Sequence, residues 1–277
     1  MAVTALFATD LDRTMIFSRN AFHGAESVEK ECVEYYEGEP LSYMTTTAIA
    51  RLRELAANAP VIPTTTRTIE QFQRIELPGA PWRFAITSNG GNILVDGIPD
   101  PAWRLSIDDQ VNATGATLAS VGAELRSRIS DSWVTKYREA DELFCYLVVR
   151  PEAVPAGFLA EWDNWCRANG WSASQQGRKI YTMPDAVCKS LAVAEVRRRL
   201  TESGELPDGA RLFAAGDGAL DAKMLESADA AIRPRHGELE ELAYTAPNLT
   251  VTTAAGILAG AEILDWFHAA LPVADPV

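Results

Sequence analysis

Two aspartates separated by one residue follow an apolar run near the start of the chain, in the stretch TALFATDLDRT. The run is typical of a buried strand, and a two-residue period places Asp10 and Asp12 on the same side of its end. Like charges this close raise one pKa unless a cation or a proton lies between them. The fragment alone is equally compatible with an acidic turn and with a cation site.

A second acidic pair, Asp217 and Asp221, follows another apolar run in LFAAGDGALD. If both runs are strands of one parallel sheet, their carboxyl ends lie along the edge where ligands of such sheets gather. Four carboxylates in one place need a compensating charge, which a hard divalent cation with oxygen ligands supplies. We therefore predict a Mg²⁺ site formed by Asp10, Asp12, Asp217 and Asp221.

A Mg²⁺ site beside an aspartate favours phosphoryl chemistry, because aspartate is a known covalent nucleophile for phosphoryl groups. The transition state spreads negative charge over phosphoryl oxygens, so hydroxyl donors and a fixed cation are needed. The stretch TTTR at 64–67 offers hydroxyls after a predicted strand, and Lys189 lies just inside a predicted helix. The alternative for TTTR is a solvated threonine turn before the helix that begins near Thr68.

The elements that must position these residues alternate between strand and helix at both ends of the chain. The predicted elements of this kind are a strand at 2–9, a helix from about 45 to 58, a strand at 60–63, a helix at 186–203 and a helix at 256–270. Between them the sequence changes to short strands, one or two helices and six of the seven tryptophans. This organisation predicts one α/β core made of both chain ends, interrupted by a small α+β insert.

The bulk composition limits the partners. A formal net charge of -13 and a pI of about 4.7 argue against a nucleic-acid binder, but not against a small phosphorylated ligand. The four cysteines are far apart, and the start of the chain has no basic region typical of a signal peptide. No apolar stretch approaches the roughly 20 residues that span a bilayer. We expect a cytoplasmic monomer or homodimer without nucleic-acid or membrane partners.

Four segments, DLDRT, TTTR, CKSLA and GDGALDAKML, resemble in order and spacing the four motifs of the haloacid dehalogenase-like (HAD) superfamily. Most members are phosphatases with a Rossmann-like core. The insert, with TSNGGNI at its start, resembles the cap of subclass IIB, the Cof-like and sucrose-phosphatase-like enzymes. The resemblance covers nearly the whole chain. It implies a Rossmann-like parallel-sheet core at 1–80 and 186–277 and an inserted α+β cap domain at 81–185.

The resemblance also implies catalytic roles. Asp10 would be the nucleophile and a metal ligand, and Asp12 the general acid for the leaving alcohol and then the base for water. Thr65 would hold a phosphate oxygen, and Lys189 would balance the charge of Asp10 and the phosphoryl group. Asp217 would complete the Mg²⁺ site, which Asp221 would support.

Five residues are candidate contacts for the substrate, and the chain departs from the family at some of them. These candidates are Arg13, Thr66, Arg67, Arg178 and Lys179. Arg13 and Thr66 stand where the family usually has glycine, and Leu220 where Cof-like members commonly have asparagine. Arg13 either contacts phosphate or pairs with a surface acid, and Arg178 and Lys179 contact substrate or line a solvated strand edge. Residues 18–45 form a longer segment than the subclass predicts, compatible with an enlarged flap.

The predicted function is therefore a Mg²⁺-dependent phosphomonoester hydrolase that acts on a small soluble phosphometabolite, such as a sugar phosphate, through an aspartyl phosphate. A phosphomutase and a non-catalytic sensor of a phosphorylated ligand are the alternatives. The sensor is less favoured, because binding alone does not need an acid/base aspartate beside the nucleophile. The tryptophans of the insert are expected mainly to pack in the core or on the surface of the cap, with contact to the substrate as the less favoured alternative.

Overall fold

The computed structural model describes residues 5–271, except for the side chain of Thr114. Residues 2–4 of the predicted first strand therefore lie outside the described residues. The chain divides into two compact units. The first consists of the residues up to Pro99 together with those from Lys189 onward, and the second is Asp100–Cys188.

Strands and helices alternate along the first unit, and strands predominate late in the second. The strands are β1 Ala5–Thr9, β2 Lys30–Tyr36, β3 Glu39–Thr45, β4 Val61–Pro63, β5 Phe84–Thr87, β6 Asn92–Val95, β7 Ile98–Pro99, β8 Val134–Ala140, β9 Phe144–Val149, β10 Trp171–Gln176, β11 Lys179–Pro184, β12 Arg211–Ala215, β13 Ala230–Arg233 and β14 Leu249–Val251. The α-helices are α1 Thr46–Asn58, α2 Ile69–Gln73, α3 Pro101–Thr114, α4 Leu118–Arg128, α5 Phe158–Arg167, α6 Lys189–Glu202, α7 Ala222–Ser227, α8 Glu238–Glu241 and α9 Ile257–Ala269. None of these helices is long and apolar enough to cross a bilayer.

A five-stranded sheet forms the centre of the first unit, in the order β14-β13-β12-β1-β4. All of its pairings are parallel, and β1 lies between β12 and β4. Every residue of β1 is buried, as expected for an inner strand of a parallel sheet covered on both faces. This sheet confirms the predicted Rossmann-like core and brings the carboxyl ends of β1, β4 and β12 to one edge.

Apolar side chains from the sheet and its helices form the core of this unit. Phe7 of β1 packs against Phe213 and Phe267, with ring centroids 5.4 and 5.0 Å apart. Leu52 and Leu55 of α1 belong to the same buried cluster. Thr45 caps α1, because its side chain accepts a hydrogen bond from the Ala48 N–H.

The long segment after the first motif contains an antiparallel hairpin made of β2 and β3. Its turn is Glu37-Gly38, where both residues have positive φ values of 52° and 81°. Glycine adopts this conformation without steric cost, which favours the tight turn. The hairpin belongs to the first unit and lies close to the carboxyl end of β4, since Glu34 contacts Arg67 there.

The boundary between the two units lies after the β5–β6 hairpin instead of before it. Ala85 and Leu94 of this hairpin belong to the core cluster of the first unit, and Ile86 forms a parallel bridge with Thr64. The compact units accordingly divide at Pro99 and Lys189, whereas the sequence analysis placed the divisions after residues 80 and 185. The hairpin joins the first unit because its apolar side chains are buried there.

The second unit has an antiparallel sheet in the order β10-β11-β9-β8, together with α3, α4 and α5. Trp162 and Trp171 are fully buried. The indole N–H of Trp162 donates to Thr182 Oγ1 at 2.8 Å, and that of Trp171 donates to the Ala116 carbonyl at 2.7 Å. Trp165 stacks on Trp162. The packing role predicted for these tryptophans is confirmed.

Candidate active site

Lys189, the first residue of α6, joins two carboxylates that follow different strands. Its Nζ donates to Oδ1 of Asp10 at 2.6 Å and to Oδ1 of Asp221 at 2.5 Å. The Lys189 side chain is only 1% exposed. Burial alone would lower the pKa of Lys189, but the charges of Asp10 and Asp221 raise it overall, so the ammonium group stays charged.

Asp217 is the third carboxylate of this cluster, and it is fully buried. Neither of its carboxylate oxygens has a hydrogen-bond partner. The Nε atom of Arg13 lies 3.6 Å from Oδ2 of Asp217, which is an ion pair without a hydrogen bond. Among the described residues, Asp10, Asp217 and Asp221 each offer one oxygen to a common site, and these oxygens lie within 4.8 Å of one another.

The three carboxylates carry more negative charge than their surroundings neutralise. Burial, with contributions from the charges of Asp221 and Asp12, raises the pKa of Asp10 to about 7, although Lys189 opposes this shift. Burial and the charges of Asp10 and Asp221 raise the pKa of Asp217 well above its ordinary value. A divalent cation fits here, because it would neutralise these groups and bind the oxygens of Asp217, which have no hydrogen-bond partner.

Two glycines allow the backbone to pass close to these carboxylates. A Cβ atom on Gly216 would lie 2.5 Å from the Cβ and Cγ atoms of Asp221. One on Gly237, which has a φ of +91°, would lie 2.5 Å from Oδ2 of Asp217. The Gly218 N–H also donates to Oδ2 of Asp221 at 2.9 Å. The backbone at Gly216 and Gly237 therefore lies so close to Asp221 and Asp217 that a side chain larger than that of glycine would clash with them.

Asp12 has a different environment from Asp10. Arg67 donates to both of its carboxylate oxygens, from Nε to Oδ2 and from Nη2 to Oδ1, each at 2.7 Å. The third guanidinium nitrogen of Arg67, Nη1, donates to Oε1 of Glu34 at 2.6 Å. Asp12 is therefore not one of the three clustered carboxylates, because its carboxylate is engaged by Arg67. Ligation of the metal by the Asp12 side chain stays a prediction.

Three threonines lie in the segments that follow β1 and β4. Thr65 is fully buried after β4, and its Oγ1 accepts a hydrogen bond from the Arg67 N–H at 3.1 Å. Thr66 is half-buried on the same loop. Thr14, which the sequence analysis did not single out, donates from Oγ1 to Oδ2 of Asp10 at 3.2 Å. Thr14 is the last residue of the DLDRT motif, and this position could have indicated that it lies near Asp10.

Arg13 has the left-handed conformation, with a φ of 63°. Glycine adopts this conformation most easily. This preference explains why the family that the motifs resemble usually has glycine at this position. His236 contacts the Arg13 carbonyl from Nε2 at 2.8 Å, and its Nδ1 accepts the Gly256 N–H at 3.0 Å. Burial lowers the pKa of His236 to about 4. A neutral His236 thus donates from Nε2 to Arg13, a role that no local sequence pattern indicated.

Arg178 and Lys179 belong to the second unit. Both are exposed. Lys179 begins β11, and its Nζ lies 5.4 Å from the centre of the Tyr146 ring. Contact of either residue with a substrate stays a prediction, as does contact of Arg13 and Thr66.

Comparison with known proteins identifies the fold. No family model and no curated protein matches the sequence. Among solved structures, the chain is similar to sucrose-phosphatase from Synechocystis in complex with sucrose and phosphate (TM-score 0.62, 12% identity, 96% of this chain and 98% of that chain covered). It is also similar to a HAD subclass IIB sugar phosphatase (TM-score 0.57, 10% identity, 96% and 99% covered). A HAD phosphatase from Bacteroides thetaiotaomicron gives a TM-score of 0.54 at 13% identity, with 96% of each chain covered.

The first unit and the second together thus define a protein with the fold of HAD-superfamily phosphatases. The family resemblance expected from the four motifs is confirmed at the level of the fold. The neighbours named above include subclass IIB, to which the sequence motifs pointed.

Proposed function

We propose that this chain is a Mg²⁺-dependent phosphomonoester hydrolase that acts on a small phosphorylated metabolite such as a sugar phosphate. The observation that carries the proposal is the buried cluster of Asp10, Asp217 and Asp221 around Lys189, at the carboxyl edge of a parallel sheet. The oxygens of Asp217, which are buried without a hydrogen-bond partner, support a metal site. The similarity in fold to sucrose-phosphatase supports the substrate class.

In the proposed reaction, a carboxylate oxygen of Asp10 bonds to phosphorus while the ester P–O bond breaks. Asp12 must carry a proton at the start of this step, and it gives that proton to the leaving alcohol. Asp12 then takes a proton from water, whose oxygen attacks phosphorus and displaces Asp10, so that inorganic phosphate leaves. Lys189 favours the ionised form of Asp10, and the Thr65 hydroxyl donates to a phosphoryl oxygen. Mg²⁺ held by Asp10, Asp217 and Asp221 would neutralise charge on the phosphoryl group.

The test is hydrolysis of p-nitrophenyl phosphate with Mg²⁺ and with a chelator. The wild type should release p-nitrophenol only with Mg²⁺. Asp10→Asn should abolish release, and Asp12→Asn should reduce turnover by about 10²-fold or more, as expected for loss of the general base that activates water. Asp208→Asn is the matched control, because Asp208 is exposed.

A selective enzyme could reject this ester, so a panel of sugar phosphates and other phosphometabolites completes the test. A silent panel, with Mg²⁺-dependent binding of the same compounds, would contradict the hydrolase and favour the sensor. A phosphomutase would instead return the phosphoryl group to the sugar. It would be identified if this return required a phosphorylated sugar as activator.

A further inference from the structure

Glu34 of β2 is a buried carboxylate outside the metal cluster. Its side chain is 0% exposed, and both of its oxygens have partners. Oε1 accepts from Nη1 of Arg67 at 2.6 Å, and Nη2 of Arg74 lies 3.6 Å from the same oxygen. Oε2 accepts from the Ser42 hydroxyl at 2.5 Å. A carboxylate removed from water in this way has one stable arrangement, because any movement would break hydrogen bonds to a buried charge.

Arg67 connects this buried carboxylate to Asp12. Nε and Nη2 form one edge of the guanidinium plane and face Asp12, while Nη1 faces Glu34. The Asp12 side chain is 46% exposed, whereas that of Arg67 is 13% exposed. An arginine paired only with an exposed carboxylate exchanges that partner for water easily. Glu34 removes this freedom, because it fixes the guanidinium from the buried side.

We propose that Glu34 is a positioning residue that acts through Arg67 to hold the carboxylate of Asp12 in place for proton transfer. The proposal rests on the hydrolase function proposed above for the role of Asp12. It makes the β2–β3 hairpin part of the catalytic apparatus. Glu34 touches neither the metal cluster nor the predicted nucleophile, and its effect passes through two salt bridges.

If Glu34 only anchored the β2–β3 hairpin, its replacement would change the hydrolysis rates in a different pattern. Anchoring affects the amount of folded enzyme, which changes the rates of all substrates by one factor. Misplacement of a general acid affects esters of weakly acidic alcohols most, because their leaving groups depend most on proton donation. Phenyl phosphate and p-nitrophenyl phosphate separate the two roles, since they have similar shapes and phenol is the weaker acid.

The first experiment measures kcat/KM for both esters in the wild type, Glu34→Gln and Glu31→Gln. Glu31 is the matched control, because it lies on the same strand and is exposed. Glu34→Gln should lower hydrolysis of phenyl phosphate about tenfold more than that of p-nitrophenyl phosphate, within the range of general acid catalysis. Glu31→Gln should change neither. Equal losses on both esters, or no loss, would overturn the proposal.

If Glu34→Gln does not fold, Ser42→Ala replaces it. This change removes the hydrogen bond from Ser42 to Glu34 and a longer one, at 3.5 Å, from Nη2 of Arg67 to Ser42, and it keeps the salt bridge between Arg67 and Glu34. It should shift the ratio of the two rates in the same direction by a smaller factor. An unchanged ratio in folded Ser42→Ala would count against the proposal.

The second experiment does not need activity. Urea unfolding of Asp12→Asn, Glu34→Gln and the double variant forms a double-mutant cycle. The effect of Asp12→Asn on the unfolding midpoint should be different in the Glu34→Gln background, because Arg67 links the two carboxylates. Additive effects would overturn the positioning role. If the cycle shows coupling but the wild-type protein hydrolyses no ester, the structural link between Glu34 and Asp12 would be supported. The proposed hydrolase function would be contradicted instead.

Discussion

Nζ of Lys189 lies 2.6 Å from Oδ1 of Asp10, although the two residues are 179 positions apart in the chain. The pair joins the end of the first strand to the start of the helix that follows the second unit. Oδ1 of Asp221 shares the same ammonium group at 2.5 Å. One buried cation therefore holds together the residues that we propose as nucleophile and as metal ligand.

Replacement of Lys189 by methionine should lower the free energy of unfolding of the metal-free protein by about 3–5 kcal/mol, because two buried carboxylates lose their cation. Mg²⁺ should restore part of this loss, since it neutralises the same carboxylates. Urea unfolding with and without Mg²⁺ measures both effects. Lys223→Met is the control, because Lys223 is exposed. Equal destabilisation by the two variants would contradict the role of Lys189.

Mg²⁺ should stabilise the protein more strongly as the pH rises from about 4 to about 7. Burial raises the pKa of Asp10 from 3.8 to about 7, so between these values the Asp10 carboxyl is protonated more in the folded metal-free chain than in the unfolded chain. This stabilising contribution is complete below the unfolded pKa and is lost as the pH rises through the folded pKa. Mg²⁺ competes with these protons. The difference between the melting temperatures with and without Mg²⁺ should therefore increase over this interval.

The same titration contains its controls. Burial lowers the pKa of His236 from 6.5 to about 4, so its contribution is present above pH 6.5 and is lost as the pH falls. It acts with and without Mg²⁺ and cancels in the difference. Asp10→Asn should reduce the pH dependence of the difference, because one of the two raised carboxyl pKa values is gone. A Mg²⁺ effect that is constant from pH 4 to 7 would disprove the assignment.

Substitution of Gly237 by alanine should weaken Mg²⁺ binding by about 10- to 100-fold, the range seen for residues that orient metal ligands. The new Cβ atom would lie 2.5 Å from Oδ2 of Asp217 and displace this carboxylate. Gly209→Ala is the matched control. Gly209 also has a positive φ, +77°, but its Cβ atom would have no neighbour within 4 Å. Calorimetric titration with Mg²⁺ compares the two variants, and equal affinities would refute the steric account.

The acidic pairs and the parallel sheet could be predicted from the sequence because their signals are local. The apolar run of β1 and the aspartates after it share one short segment, and the same holds for β12 and Asp217. Parallel strands necessarily present their carboxyl ends at one edge. The predicted meeting of Asp10 with Asp217 and Asp221 follows from this geometry, whereas the place of Lys189 beside Asp10 was implied by the family resemblance. The structure brings these four residues together. Asp12, which was predicted at the same site, pairs with Arg67.

Tertiary structure decided which cation meets which carboxylate. Arg67 was predicted to contact substrate, yet its guanidinium lies between Asp12 and Glu34. No local pattern marks Glu34, since an acidic residue on a short hairpin strand usually lies on a solvated face. Its burial depends on Arg67, which comes from a loop 33 positions away in the chain. Hydrogen bonds require partners within about 3 Å, and only the folded chain brings residues so distant in sequence to that separation.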